Sequence, residues 1–170
     1  MKANRLFIKT KNKKIEYMQD KILELLFYPN LSSTRKEKDI HEGRKCIDIV
    51  FDNSSETGFF FNLPNKNILL PCPYVYVECE NYTGEVANPE IDQLSGQFSN
   101  RRGRVGILTC RELEDNFIKR CADTYEDERG LVIPLEDKDL KEALMNYPQH
   151  GVEAIEEIIS KKFEQIVFTK

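Results

Sequence analysis

The sequence predicts an α/β fold in which a central mixed β-sheet is flanked by helices. Two observations lead to this prediction. In the first half of the chain, strand-like segments follow one another without an intervening helix, which is typical of an antiparallel meander. In the second half, strand-like and helical segments alternate, which indicates parallel strands joined by helical crossovers. A chain of 170 residues with a hydrophobic fraction of 40% suits one domain over residues 1–170.

The first half begins with an amphipathic helix, predicted over Asn12–Phe27. Apolar residues recur there at helical spacing, and Pro29 helps to end the helix. Strand-forming residues then predict the three strands of the meander at Lys45–Phe51, Phe59–Leu63 and Tyr74–Glu80. The polar or proline-containing segments around them are predicted as loops and turns: Leu31–Arg44, Asp52–Gly58 and Leu63–Pro73.

The second half opens with a helix start at Asn88, Pro89 and Glu90. These residues suit the cap, the first helical position and the first turn, and the helix is predicted to run to Phe98. Pro134 places the last strand at an edge of the sheet. The remaining predicted elements are strands at Val105–Cys110 and Leu131–Leu135 and helices at Leu113–Tyr125, Asp137–Tyr147 and Val152–Phe163.

The composition argues against several classes of protein. No apolar stretch approaches the ~20 residues that span a bilayer, and the N-terminal segment lacks the apolar region of a secretory signal. We therefore expect a cytoplasmic protein without a membrane partner. The five cysteines form no C-x-x-C pair, which argues against a disulfide framework and a zinc site. With a net charge of −4, binding to nucleic acid has to rely on local basic patches and metal ions.

Acidic residues occur in two of the predicted strands, where acids are uncommon. Glu78 and Glu80 lie at i and i+2, so they share one face of the strand while Cys79 faces the other side. Two like charges side by side repel unless a cation, a proton or solvent compensates them. Asp48 lies between β-branched apolar residues, where a carboxylate needs a cation or hydrogen-bond donors. These acids form a candidate divalent-metal site, and solvated acids at an exposed strand end are the alternative for the Glu78–Glu80 pair.

Three segments in this order resemble the PD-(D/E)-x-K nuclease superfamily, which has the restriction-endonuclease-like fold. The resemblance is closest to short bacterial proteins of the Mrr-like kind. The segments are HEGRKCIDIVFDN (His41 to Asn53), YVYVECENYTGEVANPEIDQLSGQF (Tyr74 to Phe98) and RRGRVGILTCR (Arg101 to Arg111). The resemblance implies an enzyme that hydrolyses DNA phosphodiester bonds with Mg²⁺ or Mn²⁺, in restriction or phage defence.

The resemblance also implies roles for individual residues. Asp48 resembles the motif aspartate and Glu78 the acidic member of the (D/E)-x-K pair, with the backbone carbonyl of Cys79 completing the metal shell. Gln93 resembles the glutamine that these families place near the site on the following helix. Glu42 is an accessory upstream acid.

Glu80 departs from the family pattern, which has a lysine at this position. A lysine orients the attacking water and stabilises negative charge. A glutamate can instead act as a general base or bind a second metal ion, and some restriction enzymes of the superfamily have E-x-E. The alternative is a catalytically inactive nuclease-fold module that binds DNA or a partner protein in a defence complex, because a third negative charge opposes the approach of phosphate.

The loop Ser99–Arg104 contains three arginines that are candidates for contact with DNA phosphates: Arg101, Arg102 and Arg104. A solvated basic loop is the alternative. Two cuts in a duplex would favour a homodimer, and association with other subunits of a defence complex is the other expected kind of partnership.

Overall fold

The computed structural model describes residues 18–35, 49–79, 88–114 and 116–169, and it confirms the α/β architecture with a mixed sheet flanked by helices. Five strands form one sheet in the order β1–β2–β3–β4–β5. The first three strands pair antiparallel, and the last three pair parallel. The strands are β1 (Leu31–Arg35), β2 (Ile49–Asn53), β3 (Tyr74–Cys79), β4 (Val105–Cys110) and β5 (Leu131–Glu136).

Six helices accompany the sheet in the described part of the chain. They are α1 (described over residues 18–27), α2 (Gly58–Lys66), α3 (Asn88–Ser95), α4 (Phe117–Glu126), α5 (Asp137–His150) and α6 (Glu153–Phe168). Helices α3 and α4 connect the parallel strands, as the alternation of segments predicts. None of the helices described here is both long enough and apolar enough to cross a membrane.

The predicted strand at Phe59–Leu63 is wrong, because this segment lies in α2. Phe59, Phe60 and Leu63 are buried while Phe61 is 47% exposed, which is the pattern of one helical face. The ring of Phe60 packs against Phe27 of α1, with 6.0 Å between the ring centroids. Packing therefore outweighs the strand preference of a phenylalanine run.

The first turn of α2 is held by Glu156 of α6. Thr57, at the N-cap, makes no side-chain cap hydrogen bond. Instead the backbone N–H of Phe59 donates to Glu156 Oε2 at 3.2 Å, and Asn30 Nδ2 donates to Glu156 Oε1 at 2.7 Å. A Cβ at Gly58 would collide with this carboxylate, so the close approach requires glycine. A residue far along the chain thus supplies the cap that the local sequence lacks.

The predicted loop Leu31–Arg44 is wrong over its first five residues, which form β1. Leu31 is buried and pairs with Asn53 of β2, so backbone pairing at the sheet edge, rather than apolar side chains, makes this segment a strand. The strand β2 also extends two residues into the predicted turn at Asp52–Gly58. The three antiparallel strands are therefore β1, β2 and β3, and α2 lies between β2 and β3, where the sequence predicts no intervening helix. Residues 36–48 lie outside the described part.

The parallel pairing predicted for the second half of the chain is confirmed. Val75 of β3 pairs with Val105 of β4, and Val105 pairs with Leu131 of β5. All residues of β4 and β5 are buried. The strand β5, which carries Pro134, lies at one edge of the five-stranded sheet, as its proline predicts.

The two faces of β3 are covered by different helices. Phe51 pairs with Val75, and side chains alternate, so Phe51, Val75 and Val77 share one face while Tyr76 and Glu78 share the other. The helix α1 covers the first face, since the rings of Phe27 and Phe51 lie 5.8 Å apart. The helix α3 covers the second face. Leu94 there packs so close to β4 that a Cβ at Gly106 would lie 2.9 Å from Leu94 Cδ2.

Candidate active site

Glu78 lies at the carboxyl end of β3 and is only 3% exposed. Gln93 Nε2, from α3, donates a hydrogen bond to Glu78 Oε1 at 3.2 Å. A carboxylate taken out of water needs hydrogen-bond donors or a cation, and the amide supplies one such donor. The structure therefore brings together two of the residues that the sequence singles out.

The backbone at Glu78 is held from the opposite face of the sheet. The Thr109 hydroxyl donates to the carbonyl of Glu78 at 3.4 Å, and Gln19 Nε2 of α1 donates to the Thr109 oxygen, also at 3.4 Å. Thr109 pairs with Cys79, so both face away from the Glu78 side chain. The end of β3 is thus tied to α3 through a side chain and to α1 through its backbone.

Two further oxygens near this end were not singled out by sequence reasoning. Glu90 Oε2 and Gln19 Oε1 are buried, and neither has a hydrogen-bond partner among the residues that the structure describes. Glu90 lies one turn before Gln93 on α3, so both project from the same side of the helix. This i, i+3 spacing is the signal that could have identified Glu90 together with Gln93. For Gln19 we find no corresponding sequence signal.

Three of the predicted site residues, Asp48, Glu80 and Glu42, lie outside the described residues. Asp48 immediately precedes Ile49, which pairs with Val77, the residue before Glu78. Over the described ranges, no three His, Cys, Asp or Glu side chains gather into a group that could hold a metal ion.

The orientation of α3 is fixed by the loop before β5. Arg129 donates to Asp92 Oδ1 at 2.6 Å and to Ser95 Oγ at 2.9 Å. These two residues flank Gln93 on the helix. The contacts of Arg129 therefore help to hold Gln93 in place over Glu78.

Glu136 is a second buried acid, and it lies at the carboxyl end of β5, on the same side of the sheet's strand ends as the carboxyl end of β3. It pairs with Lys138 at 2.6 Å and Lys162 at 3.4 Å, and it accepts the N–H of Leu113 at 3.1 Å. Burial raises the pKa of Glu136, but the Lys138 hydrogen bond, the Leu113 N–H and the charge of Lys162 outweigh it, so the pKa lies below its usual value. Glu136 is a neutralised structural carboxylate.

Three of the described cysteines, Cys72, Cys110 and Cys121, are buried in the core. Burial raises the pKa of the Cys72, Cys110 and Cys121 thiols to about 12. They are therefore protonated at neutral pH, which makes them poor nucleophiles.

The arginine-rich turn lies away from Glu78. Arg101 and Arg102 line a cavity of about 520 Å³ together with Tyr74 and Ser99. Tyr74 begins β3 and precedes Glu78 by four residues, which corresponds to about 13 Å along an extended strand. Arg104 is partly buried, and its backbone is bonded to Pro71 and Leu131. The structure does not bring these arginines together with the predicted metal ligands that it describes.

No protein-family model, curated protein or solved structure matches this chain.

Proposed function

We propose that the protein is a metal-dependent DNA endonuclease with a restriction-endonuclease-like fold, acting in restriction or phage defence. The observation that carries the proposal is the buried Glu78 carboxylate at the carboxyl end of β3, hydrogen-bonded by Gln93 from the next helix. The order β1, β2, α2, β3, followed by helix, strand, helix and strand, with the first three strands antiparallel and the last three parallel, supports the fold. DNA is the proposed substrate, with Mg²⁺ or Mn²⁺ as the cofactor.

The donor set near Glu78 suits a hard divalent cation. Magnesium prefers carboxylate oxygens together with water and phosphate oxygens. The Glu78 carboxylate provides such a ligand, and Glu90 Oε2 is a buried carboxylate oxygen for which the described residues supply no donor. The proposal adds Asp48 and Glu80 as ligands. It requires that the pairing of Ile49 with Val77 continues by one residue, so that Asp48 comes opposite Glu78.

Each residue has a separate part in the proposed reaction. Gln93 orients the Glu78 carboxylate, and Glu80 accepts a proton from the attacking water or binds a second ion. A bound magnesium ion supplies a water of lowered pKa and positive charge for the phosphate. Arg101, Arg102 and Arg104 contact the DNA backbone at a position distant from the cleaved bond. Glu42 is an accessory acid. A homodimer would place two such sites on one duplex.

An inactive module that binds DNA or a partner protein in a defence complex is the second candidate function. The observation in its favour is Glu80, which adds negative charge where the family pattern has a lysine. Glu80→Lys separates the two candidates. A large gain in cleavage would identify Glu80 as the disabling feature of an otherwise intact site, whereas a loss would identify it as a ligand or base.

Cleavage of supercoiled plasmid DNA with Mg²⁺ or Mn²⁺ tests the proposal directly. We expect Glu78→Gln and Asp48→Asn to reduce the rate about a hundredfold or more, since each removes a charge but keeps the side-chain shape. Glu142→Gln, at an exposed position of α5, is the matched control and should cleave like the wild type. Absence of cleavage by the wild type, together with absence of metal binding by calorimetry, would overturn the enzyme proposal.

A further inference from the structure

The amino end of β3 carries a cavity with a basic rim, which we call the arginine cavity. Its lining residues are Tyr74, Ser99, Arg101 and Arg102, and its volume is about 520 Å³. Sites for small ligands usually measure about 300–1,000 Å³. Two neighbouring arginines, a hydroxyl group and a phenol thus surround a space of ligand size.

The turn that carries the two arginines is fixed by backbone hydrogen bonds. The N–H of Ser99 donates to the carbonyl of Gly103 at 3.0 Å, and the N–H of Gly103 donates to the carbonyl of Ser99 at 2.8 Å. The N–H of Arg102 donates to Ser99 Oγ at 3.2 Å. Gly103 has a φ of +109°, and a Cβ there would lie 2.7 Å from the carbonyl oxygen of Tyr74. The turn is therefore pressed against the start of β3, and little backbone entropy remains to be lost when a ligand binds.

The guanidinium groups of this turn are not used for pairing within the described protein. Arg120 pairs with Glu114 and Arg129 pairs with Asp92, but Arg101 and Arg102 have no carboxylate partner among the described residues. Both side chains are exposed. Arginine presents a planar fork of donors that matches the oxygens of a phosphate. Serine and tyrosine hydroxyls are also common donors to the sugar–phosphate backbone.

From these observations we propose that the arginine cavity binds a phosphate group of a DNA strand, independently of the metal site. The inference rests on the DNA substrate proposed above, and it assigns the contact of Arg101 and Arg102 with that substrate to one cavity that lies apart from the metal site. Tyr74 and Glu78 lie about 13 Å apart along β3. One strand of B-DNA rises 3.4 Å per nucleotide, so about four nucleotides separate the two points when the duplex runs along β3. A single duplex can span both.

Binding of a fluorescein-labelled 24-base-pair duplex in EDTA tests the inference without cleavage. The double variant Arg101→Ala/Arg102→Ala should raise Kd about tenfold and reduce the slope of log Kd against log salt concentration by about one to two. The double variant Lys119→Ala/Lys141→Ala removes the same charge from exposed helical positions and should change Kd less than about threefold. Glu142→Gln, at an exposed position of α5, should bind like the wild type.

Three outcomes would overturn the inference. They are wild-type affinity of the arginine double variant, an equal loss in the lysine control, and arginine-dependent binding to phosphatidylserine vesicles without binding to the duplex. If the arginine double variant lacks the circular dichroism spectrum of the wild type, Arg101→Ala and Arg102→Ala decide singly, each with an expected loss of about threefold. Duplex binding without cleavage and without metal binding would remove the nuclease proposal and leave this inference standing.

Discussion

The two ends of β3 differ in charge, in exposure and in what holds them. At the carboxyl end, Glu78 is buried and is held by the side chains of Gln93 from α3 and Thr109 from β4. At the amino end, Arg101 and Arg102 are exposed on a turn that is held by its own backbone. Burial limits which groups can reach the Glu78 carboxylate, whereas the exposed Arg101 and Arg102 attract any phosphate that comes near them. Under the proposed function, catalysis at Glu78 and phosphate binding at the two arginines are separated along one strand, so a variant can disturb one of them alone.

Glu136, the buried acid at the carboxyl end of β5, provides a second comparison with Glu78. Glu136 is paired with two lysines, whereas Glu78 receives its hydrogen bond from the neutral amide of Gln93. An amide orients a carboxylate without cancelling its charge. The charge of Glu136 is therefore compensated by lysines of this chain, whereas the contact with Gln93 orients Glu78 and leaves its charge unchanged.

Of the three variants that follow, Gln93→Ala should have the largest effect, and it should act at the carboxyl end only. Loss of the orienting hydrogen bond is expected to weaken binding of Mn²⁺ and lower the cleavage rate by about 10–100-fold. Calorimetry with Mn²⁺ and plasmid cleavage measure the two effects. Gln97→Ala, one turn further along and without a bond to Glu78, is the control. Equal duplex affinity of Gln93→Ala and the wild type in EDTA is expected; a loss of duplex affinity would contradict the separation of the two ends.

Gly103→Ala should damage the amino end. A φ of +109° disfavours alanine, and the new Cβ would press on the Tyr74 carbonyl, so we expect a loss of about 2–3 kcal/mol in the free energy of unfolding. Urea denaturation measures it. Gly151→Ala also has a positive φ, but no atom lies within 4 Å of the Cβ position, so its loss should be smaller. Equal losses in both variants would show that the contact with β3 contributes nothing.

Glu136→Gln should have the smallest effect, about 1–2 kcal/mol of unfolding free energy at pH 7. Because the fold lowers the pKa of Glu136, its charged form stabilises the protein above the pKa of the unfolded state, near 4.5. That stabilisation is lost as the pH falls through the lower pKa of the folded state. Thermal unfolding of both proteins between pH 3 and 7 should therefore converge at the acid end. A difference that stays constant over this range would contradict the charge assignment.

The elements predicted correctly are those whose signal is local. The parallel strands β4 and β5 are continuous apolar runs, and the helix start at α3 has its capping residues beside it. The prediction for α2 was wrong because a phenylalanine run favours a strand locally. The cap from Glu156 and the packing on Phe27, which favour the helix, come from elsewhere in the chain. The prediction of a loop at β1 was wrong because backbone pairing with β2, rather than the side chains, makes this segment a strand.

The candidate site was predicted in part. The proximity of Glu78 and Gln93 followed from a family resemblance, and the structure places the two in contact. The arginines were identified as a basic loop, but their position beside Tyr74 depends on how the turn packs against β3, which no local pattern encodes. Asp48, Glu80 and Glu42 lie outside the described residues, so their roles stay predictions.

The contacts of the Glu156 carboxylate also affect the order in which parts of the chain can fold during synthesis. The carboxylate joins Asn30 and Phe59 to a helix that is 126 and 97 residues further along. Contacts of such long sequence separation slow folding, since a large loop must close before they form. On the ribosome, the first sixty residues emerge well before α6 is synthesised. The start of α2 therefore waits for its cap until α6 has been synthesised, and a chain that ends before Glu153 would never receive it.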